Sequence, residues 1–239
     1  MYKRLGHRSI KTLLSSNKDE IWDDTEIKLQ NDLVSTSDHY IATIQKRARN
    51  TETTPDTTLQ PGRLLCLDLI KSPTKVGLTP DTTYKFYLLV VDGYSRLPQL
   101  AGLISTTTDD IINSLGHIRT QFYKIQEASE FLFTQRIQTD FGSAFTSDKF
   151  ITFCRNNSIT VTYAAPKHLE MNSILERTWQ SICHIKNTLI VHARVDETCT
   201  HFALKAATDI FSVIPIRTLR KNGRLTTSYE LFSGKKPKL

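Results

Sequence analysis

Asp68 interrupts an otherwise apolar run, Arg63-Leu64-Leu65-Cys66-Leu67-Asp68-Leu69-Ile70. Asp140 closes a second short run, Arg136-Ile137-Gln138-Thr139-Asp140, just before Phe141-Gly142. Glu176 opens a long helical pattern, and 176 − 140 = 36 leaves thirty-five residues between the last two acids. A carboxylate in a strand bound for the interior is costly unless paired or bound to a metal. For any single Asp, a strand-end cap or an Arg partner is the ordinary explanation. Two strand ends and a helix start, each carrying an acid, together suit a site for two divalent cations. Such ions, ~4 Å apart, stabilise both the attacking and the leaving oxygen of an in-line phosphoryl displacement. Oxygen ligands without His or Cys favour magnesium or manganese over zinc.

The elements that must carry these acids follow from hydrophobic period. Residues 1–50 read as polar, weakly periodic helices, and Thr51 to Gly62 as a Thr/Pro-rich linker. Leu64–Ile70 predicts a first strand, followed by a Pro/Gly/Thr-rich excursion from Lys71 to Thr83. Phe86–Val91 predicts a fully apolar second strand and Leu100–Ile104 a third. Three strands without an intervening helix predict an antiparallel meander. The period then changes. Thr107-Thr108-Asp109-Asp110 caps a helix with Ile111, Leu115, Ile118, Phe122 and Ile125 at spacings of three to four.

Strand four is expected at Arg136–Thr139, a short helix over Lys149–Cys154, and strand five at Ile159–Tyr163. A long helix, Ile174 to His192, should carry Leu175, Trp179, Ile182, Ile185 and Leu189 on its inner face. A further helix should span Phe202–Phe211. The result is an α/β fold, a five-stranded mixed sheet with helices on both faces. Strands one and four become central neighbours, which sets Asp68 beside Asp140, and the long helix brings Glu176 from the flank. Glu176, Gln180, His184 and Asn187, at i, i+4, i+8 and i+11, form one polar stripe. It suits either solvent or a nucleic-acid backbone.

Composition is that of a globular chain: 239 residues, 39% hydrophobic and 23% charged. No apolar run reaches the ~18 residues of a membrane span, and Met1-Tyr2-Lys3-Arg4-Leu5-Gly6-His7 lacks the apolar stretch of a secretory signal. Cys66, Cys154, Cys183 and Cys199 form no CxxC pair and read as reduced structural thiols of an intracellular protein. The net charge of +7 is uneven: residues 215–239 hold seven basic groups and one acidic group. A solvated basic end accounts for that excess as well as a polyanionic partner does, and DNA is the polyanion that the three acids suggest.

Several segments resemble, in order, the integrase core of copia-type retrotransposons, a ribonuclease H-like polynucleotidyl transferase family. Tyr87-Leu88-Leu89-Val90-Val91-Asp92-Gly93-Tyr94-Ser95-Arg96 resembles that family's second strand with its Asp-x-Tyr-Ser-Arg ending. Thr139-Asp140-Phe141-Gly142-Ser143-Ala144-Phe145 is similar to its Asp-x-Gly-x-x-Phe segment. Pro166-Lys167-His168-Leu169-Glu170-Met171-Asn172-Ser173-Ile174-Leu175-Glu176-Arg177 resembles its Pro…Asn-Gly-x-x-Glu-Arg segment. Ser228-Tyr229-Glu230-Leu231-Phe232-Ser233-Gly234-Lys235-Lys236-Pro237 is similar to the segment that closes the core. The resemblance runs from Gly62 to the C-terminus. It implies a ribonuclease H-like fold, with Asp68, Asp140 and Glu176 as catalytic metal ligands for magnesium or manganese. It also implies DNA donor ends and target as partners, a homo-oligomer and a nuclear location, with no membrane and no small-molecule substrate.

The chain departs from the family pattern at named places. Ser173 stands where Gly is usual and Leu175 where Ala is usual, both just before Glu176. Tyr2-Lys3-Arg4-Leu5-Gly6-His7 resembles the opening of the family's zinc-binding segment with Tyr2 in place of its first His. His39 lies where a Cys pair is expected, and neither Cys is there. Two of four tetrahedral ligands are too few, so no zinc is expected. Residues 1–58 read as a degenerate zinc-segment remnant plus linker, 59–195 as the catalytic core, and 196–239 as a helical, basic C-terminal extension. The whole reads as a decayed piece of a larger polyprotein.

Competing readings are few. Asp140-Phe141-Gly142 spells a kinase metal-binding triplet, but the Gly-rich loop, strand lysine and His-Arg-Asp loop are missing. His168, His184, His192 and His201 fit no single helical face with a fourth ligand. Trp179 and Phe141 are expected in the core rather than as base-stacking platforms. Lys167, His168, Gln180, Lys186, Arg217 and Lys221 are the expected DNA contacts. The alternatives to an active integrase core are a DNA-binding remnant without activity and a ribonuclease H-like nuclease that cleaves without joining.

Overall fold

Six consecutive apolar residues, Phe86–Val91, leave no polar face, as a strand covered on both sides requires. In the computed structural model this run is the heart of β2 (Thr82–Asp92), with Tyr87 to Val91 fully buried. The structure describes residues 60–79, 82–126, 134–163 and 169–237, and the backbone alone for 73–79, 82–83, 169–172, 197 and 217–218.

β1 (Leu64–Thr79) and β3 (Pro98–Leu103) pair antiparallel with β2, β4 (Arg136–Thr139) pairs parallel with β1, and β5 (Thr160–Tyr163) pairs parallel with β4. The sheet order is β3-β2-β1-β4-β5, the expected meander with β1 and β4 adjacent. One expectation needs correction. The excursion after Ile70 is ladder, not loop, since β1 continues to Thr79 against β2. The ladder slips between Lys71 and Val76, around Pro73, whose nitrogen has no N–H to donate.

Helices cover both faces. α1 (Thr108–Gln126) and α2 (Asp148–Asn156) lie on one, α3 (Leu169–Ala193) and α4 (Thr200–Val213) on the other. The Thr107 hydroxyl accepts the Asp110 N–H at 3.3 Å and starts α1, as its sequence predicts, and Ser147 does the same for α2. Ile111, Leu115, Ile118 and Phe122 of α1 pack with Leu65, Leu67, Leu88 and Val90. Leu175, Ile182 and Ile185 of α3 are buried with Leu64, Cys66, Leu89 and Val91, and Trp179 and Leu189 pack beside them. Strand alternation divides β1 between the two cores.

The segment after residue 195 is not only helical. It holds a short 3-10 turn (Glu197–Cys199), α4, a hairpin of β6 (Pro215–Lys221) and β7 (Arg224–Thr227), and α5 (Ser228–Ser233). Asn222 and Gly223 form its two-residue turn at φ of 54° and 80°. Two left-handed residues give the turn whose twist matches paired strands. α5 touches both α1 and α4, and Phe232 packs on Phe122 at 5.0 Å between ring centroids. The Glu230 carboxylate, 2% exposed, takes Arg224 and the Thr226 hydroxyl at 3.0 Å.

Candidate metal and nucleic-acid site

Asp68 shares the strand face of Leu64 and Cys66, which looks toward α3. Ile137 belongs to the opposite core, so Gln138 and Asp140 fall on the α3 side as well. The β1–β4 register pairs Leu64 with Arg136, Leu65 with Ile137 and Cys66 with Gln138. Carried two residues further, it sets Asp140 across from Asp68, the juxtaposition expected from sequence. Asp68 is half-buried and Asp140 exposed. Burial raises the Asp68 carboxyl above its ordinary value, and the Asp140 charge raises it further, while the Leu69 backbone N–H offsets part of this.

The turn after β4 fixes Asp140. The Gly142 N–H donates to Asp140 Oδ1 at 3.0 Å, and a Cβ on Gly142 would also lie 3.0 Å from that oxygen. Any side chain there crowds the carboxylate, which is a local reason for Gly two residues after the acid. Phe145, fully buried, anchors the far end of the turn, and its carbonyl accepts the Tyr163 hydroxyl at 3.0 Å.

Glu176 stands differently. Leu175 is buried against the sheet, and the next residue is turned about 100° around the helix axis. Glu176 is exposed, and its Oε1 accepts the Gln180 amide at 3.1 Å. Among the described residues no three His, Cys, Asp or Glu side chains lie close enough to hold one metal ion. The two aspartates come together and Glu176 is not gathered with them. Their chemistry fits one hard divalent cation: two oxygen donors, like-charged and partly desolvated, with further positions left to water or phosphate. A second ion would need Glu176 as well.

The expected DNA contacts are scattered. Lys167 and His168 lie outside the described residues, as do all expectations for residues 1–58. Gln180 is exposed on α3, where Glu176 and Asn187 are also exposed, and Lys186 is half-buried there. Arg217 lies in β6. Lys221 closes β6 with its Nζ 3.8 Å from Glu230, so its charge is partly matched within the chain.

Phe141 overturns its expectation: it is 62% exposed, not core, and stacks on Tyr163 with centroids 4.8 Å apart. Trp179 does pack against the core. Sequence reasoning also gave Asp92 no role. It is fully buried and accepts the Gly62 N–H at 2.7 Å, the Ser95 N–H at 2.7 Å and the Ser95 hydroxyl at 2.6 Å. These bonds oppose the burial that raises its carboxyl. They tie the start of β1 to the β2–β3 turn, which explains the Asp-x-x-Ser spacing. Burial also pushes the Cys66 thiol up to about 12 and Cys154 to about 11, as inert structural thiols require.

No protein-family model matches the chain, and no curated protein does. Solved structures do. A chain of the simian T-cell lymphotropic virus intasome in complex with PP2A regulatory subunit B56 gamma aligns with a TM-score of 0.56 and 19% identity. The match covers 78% of this chain and 59% of that one, so this chain spans less than two thirds of the intasome subunit. The HTLV-2 integrase catalytic core domain in complex with magnesium aligns at 0.51 and 18% identity, over 73% of this chain and 98% of its own. The BIV integrase catalytic core domain gives 0.50 and 15%, over 72% and 93%. At such identities the likeness concerns architecture alone: a five-stranded mixed sheet with helices on both faces, shared with those integrase catalytic core domains.

Proposed function

We propose that this chain is the integrase catalytic domain of a retrotransposon, cutting and joining DNA with divalent metal. The observation that carries the proposal is the Asp68–Asp140 pair, on adjacent parallel strands and on the face covered by α3, with Asp68 raised by burial and by its neighbour's charge. The copia-type motifs around Asp92, Asp140 and Glu176 support the retrotransposon assignment. Magnesium or manganese, when bound, polarises the phosphodiester and activates the attacking water or 3′-hydroxyl. Asp68 and Asp140 would hold that ion, and Glu176 would be needed to complete a second position. Lys167, His168, Gln180, Lys186, Arg217 and Lys221 are the proposed contacts to DNA. The HTLV-2 core is described in dimeric and trimeric forms. That supports a homo-oligomer here, and a nuclear location follows only from DNA as the proposed substrate.

The test is a strand-transfer assay with purified protein, manganese and a short donor duplex at fixed salt. Asp140→Asn should abolish joining and leave DNA binding largely intact. Joining retained by that variant removes Asp140 from its role.

A second reading is a DNA-binding remnant without activity, and a specific observation favours it. Glu176 is bonded to Gln180 instead of standing with the aspartates. Calorimetric titration with magnesium or manganese in the presence of donor DNA, for wild type and Asp68→Ala, separates the two readings, since absence of any ion uptake that depends on Asp68 favours the remnant. A nuclease without joining activity would instead give cleaved donor ends and no joined product on a gel.

A further inference from the structure

Phe141 is more exposed than any other large hydrophobic side chain among the described residues. An aromatic ring in water forgoes its burial free energy, and here it does so one residue from Asp140. Its position is built. One ring face lies against Tyr163, with an interplanar angle of 20°. The Tyr163 hydroxyl donates to the carbonyl of Phe145, and the Phe145 ring is fully buried. The ring beneath Phe141 is therefore fixed, and the open face of Phe141 is held at a set orientation at the end of β4. Across the sheet edge the order is Asp68 on β1, Asp140 after β4, then the Phe141–Tyr163 stack beside β5.

We infer that the open face of Phe141 is a stacking platform for an unpaired DNA base next to the phosphate that the two aspartates address. The inference rests on the proposed reading of the aspartate pair as the phosphoryl-transfer site. A base inside a duplex already stacks on its neighbours, so the occupant is a base from a frayed or single-stranded end. Stacking of this kind tolerates any base, because each presents a π-face. Phe141 thus selects for unpaired ends without reading their sequence.

The test is a fluorescence titration of the full 239-residue chain with a donor duplex carrying 2-aminopurine in a short unpaired end. The same duplex with a blunt end, its 2-aminopurine paired, is the control. Binding should perturb the unpaired probe and not the paired one. Phe141→Ala should lose the perturbation and weaken binding to the unpaired end about tenfold, and Phe141→Trp should keep both. Because Phe141 is exposed, the alanine variant should melt with the wild type. Equal probe response or equal affinity for wild type and Phe141→Ala overturns the inference. Joining by Asp140→Asn would sink the functional reading instead, while leaving the probe response to report on Phe141 alone.

Discussion

Asp140 lies across from Asp68 on the continued line of the parallel β1–β4 ladder: 136 − 64 = 72 for the first pair, and 140 − 68 = 72 for the two acids. Parallel neighbours lie about 4.8 Å apart. The Asp140 charge adds to the burial that disfavours the ionised Asp68 carboxylate, so the two like charges oppose each other. The fold spends stability to keep them there.

Removing that repulsion should stabilise the metal-free protein. An acid whose folded pKa lies above its unfolded value binds more protons when folded in the interval between the two. Stability therefore falls as pH rises from the ordinary carboxylate range through the raised Asp68 value, and the cost is complete above it. Asp68→Asn should melt higher than wild type at neutral pH without metal, by about 2–4 °C for each kcal/mol relieved. Magnesium or manganese should raise the melting temperature of wild type and not of the variant. Thermal melts across pH, with and without EDTA, check both. A wild-type melt indifferent to metal would count against the site.

Gly142→Ala crowds the carboxylate while meeting the core only at an ordinary van der Waals distance. Its Cβ would arrive 3.0 Å from Asp140 Oδ1 and 3.5 Å from the Phe145 ring. Asp140 must shift by a few tenths of an ångström, and a misplacement of about 1 Å can cost roughly 10²-fold in rate. The expected result is joining slowed by about tenfold or more, at nearly unchanged melting temperature.

Asp92→Ala should instead destabilise the whole domain. It strands three buried donors, the Gly62 and Ser95 N–H groups and the Ser95 hydroxyl. At ~1–3 kcal/mol for a stranded buried group, with some relief from water, the loss should be about 3 kcal/mol. Urea denaturation measures it. Asp92→Asn keeps an acceptor oxygen and should cost less.

Glu230→Ala should loosen the C-terminal segment. Arg224 and Lys221 would lose their shared partner, and both are about one-third exposed, so water recovers part of the cost. A loss of about 2 kcal/mol is expected from denaturation midpoints, below the 3–5 kcal/mol of a fully buried pair.

Period and polarity made most of the core legible from sequence. The all-apolar Phe86–Val91, the spacing from Ile111 to Phe122 and the Leu175–Leu189 stripe each dictate one element and its buried face. The adjacency of β1 and β4, and with it the approach of Asp68 to Asp140, was legible from the order of strands and helices. The β6–β7 hairpin carries a strong two-residue turn signal in Asn222-Gly223, but its charged flanks, Arg220-Lys221 and Arg224, lack the alternating apolar pattern that marks a strand. The ladder beyond Ile70 was hidden by Pro73, which marks a slip as readily as a loop. Phe141 was assigned to the core on residue type. Only the position of Tyr163, distant in sequence, shows that its ring is propped outward. The outward turn of Glu176 is contained in its polar stripe, one residue on from buried Leu175. Its distance from the two aspartates depends on where the helix sits, which local pattern does not fix.

The Arg224–Glu230 clasp and the seating of Phe232 on Phe122 change the meaning of the basic end. A loose cationic tail attracts a polyanion from any direction and imposes no heading on it. Arg220, Lys221 and Arg224 are borne on a hairpin welded to the globule, so their field has a fixed bearing relative to the acidic pair. Positive and negative poles held in one frame would turn an approaching polyanion as well as draw it, so its orientation would be partly settled before contact.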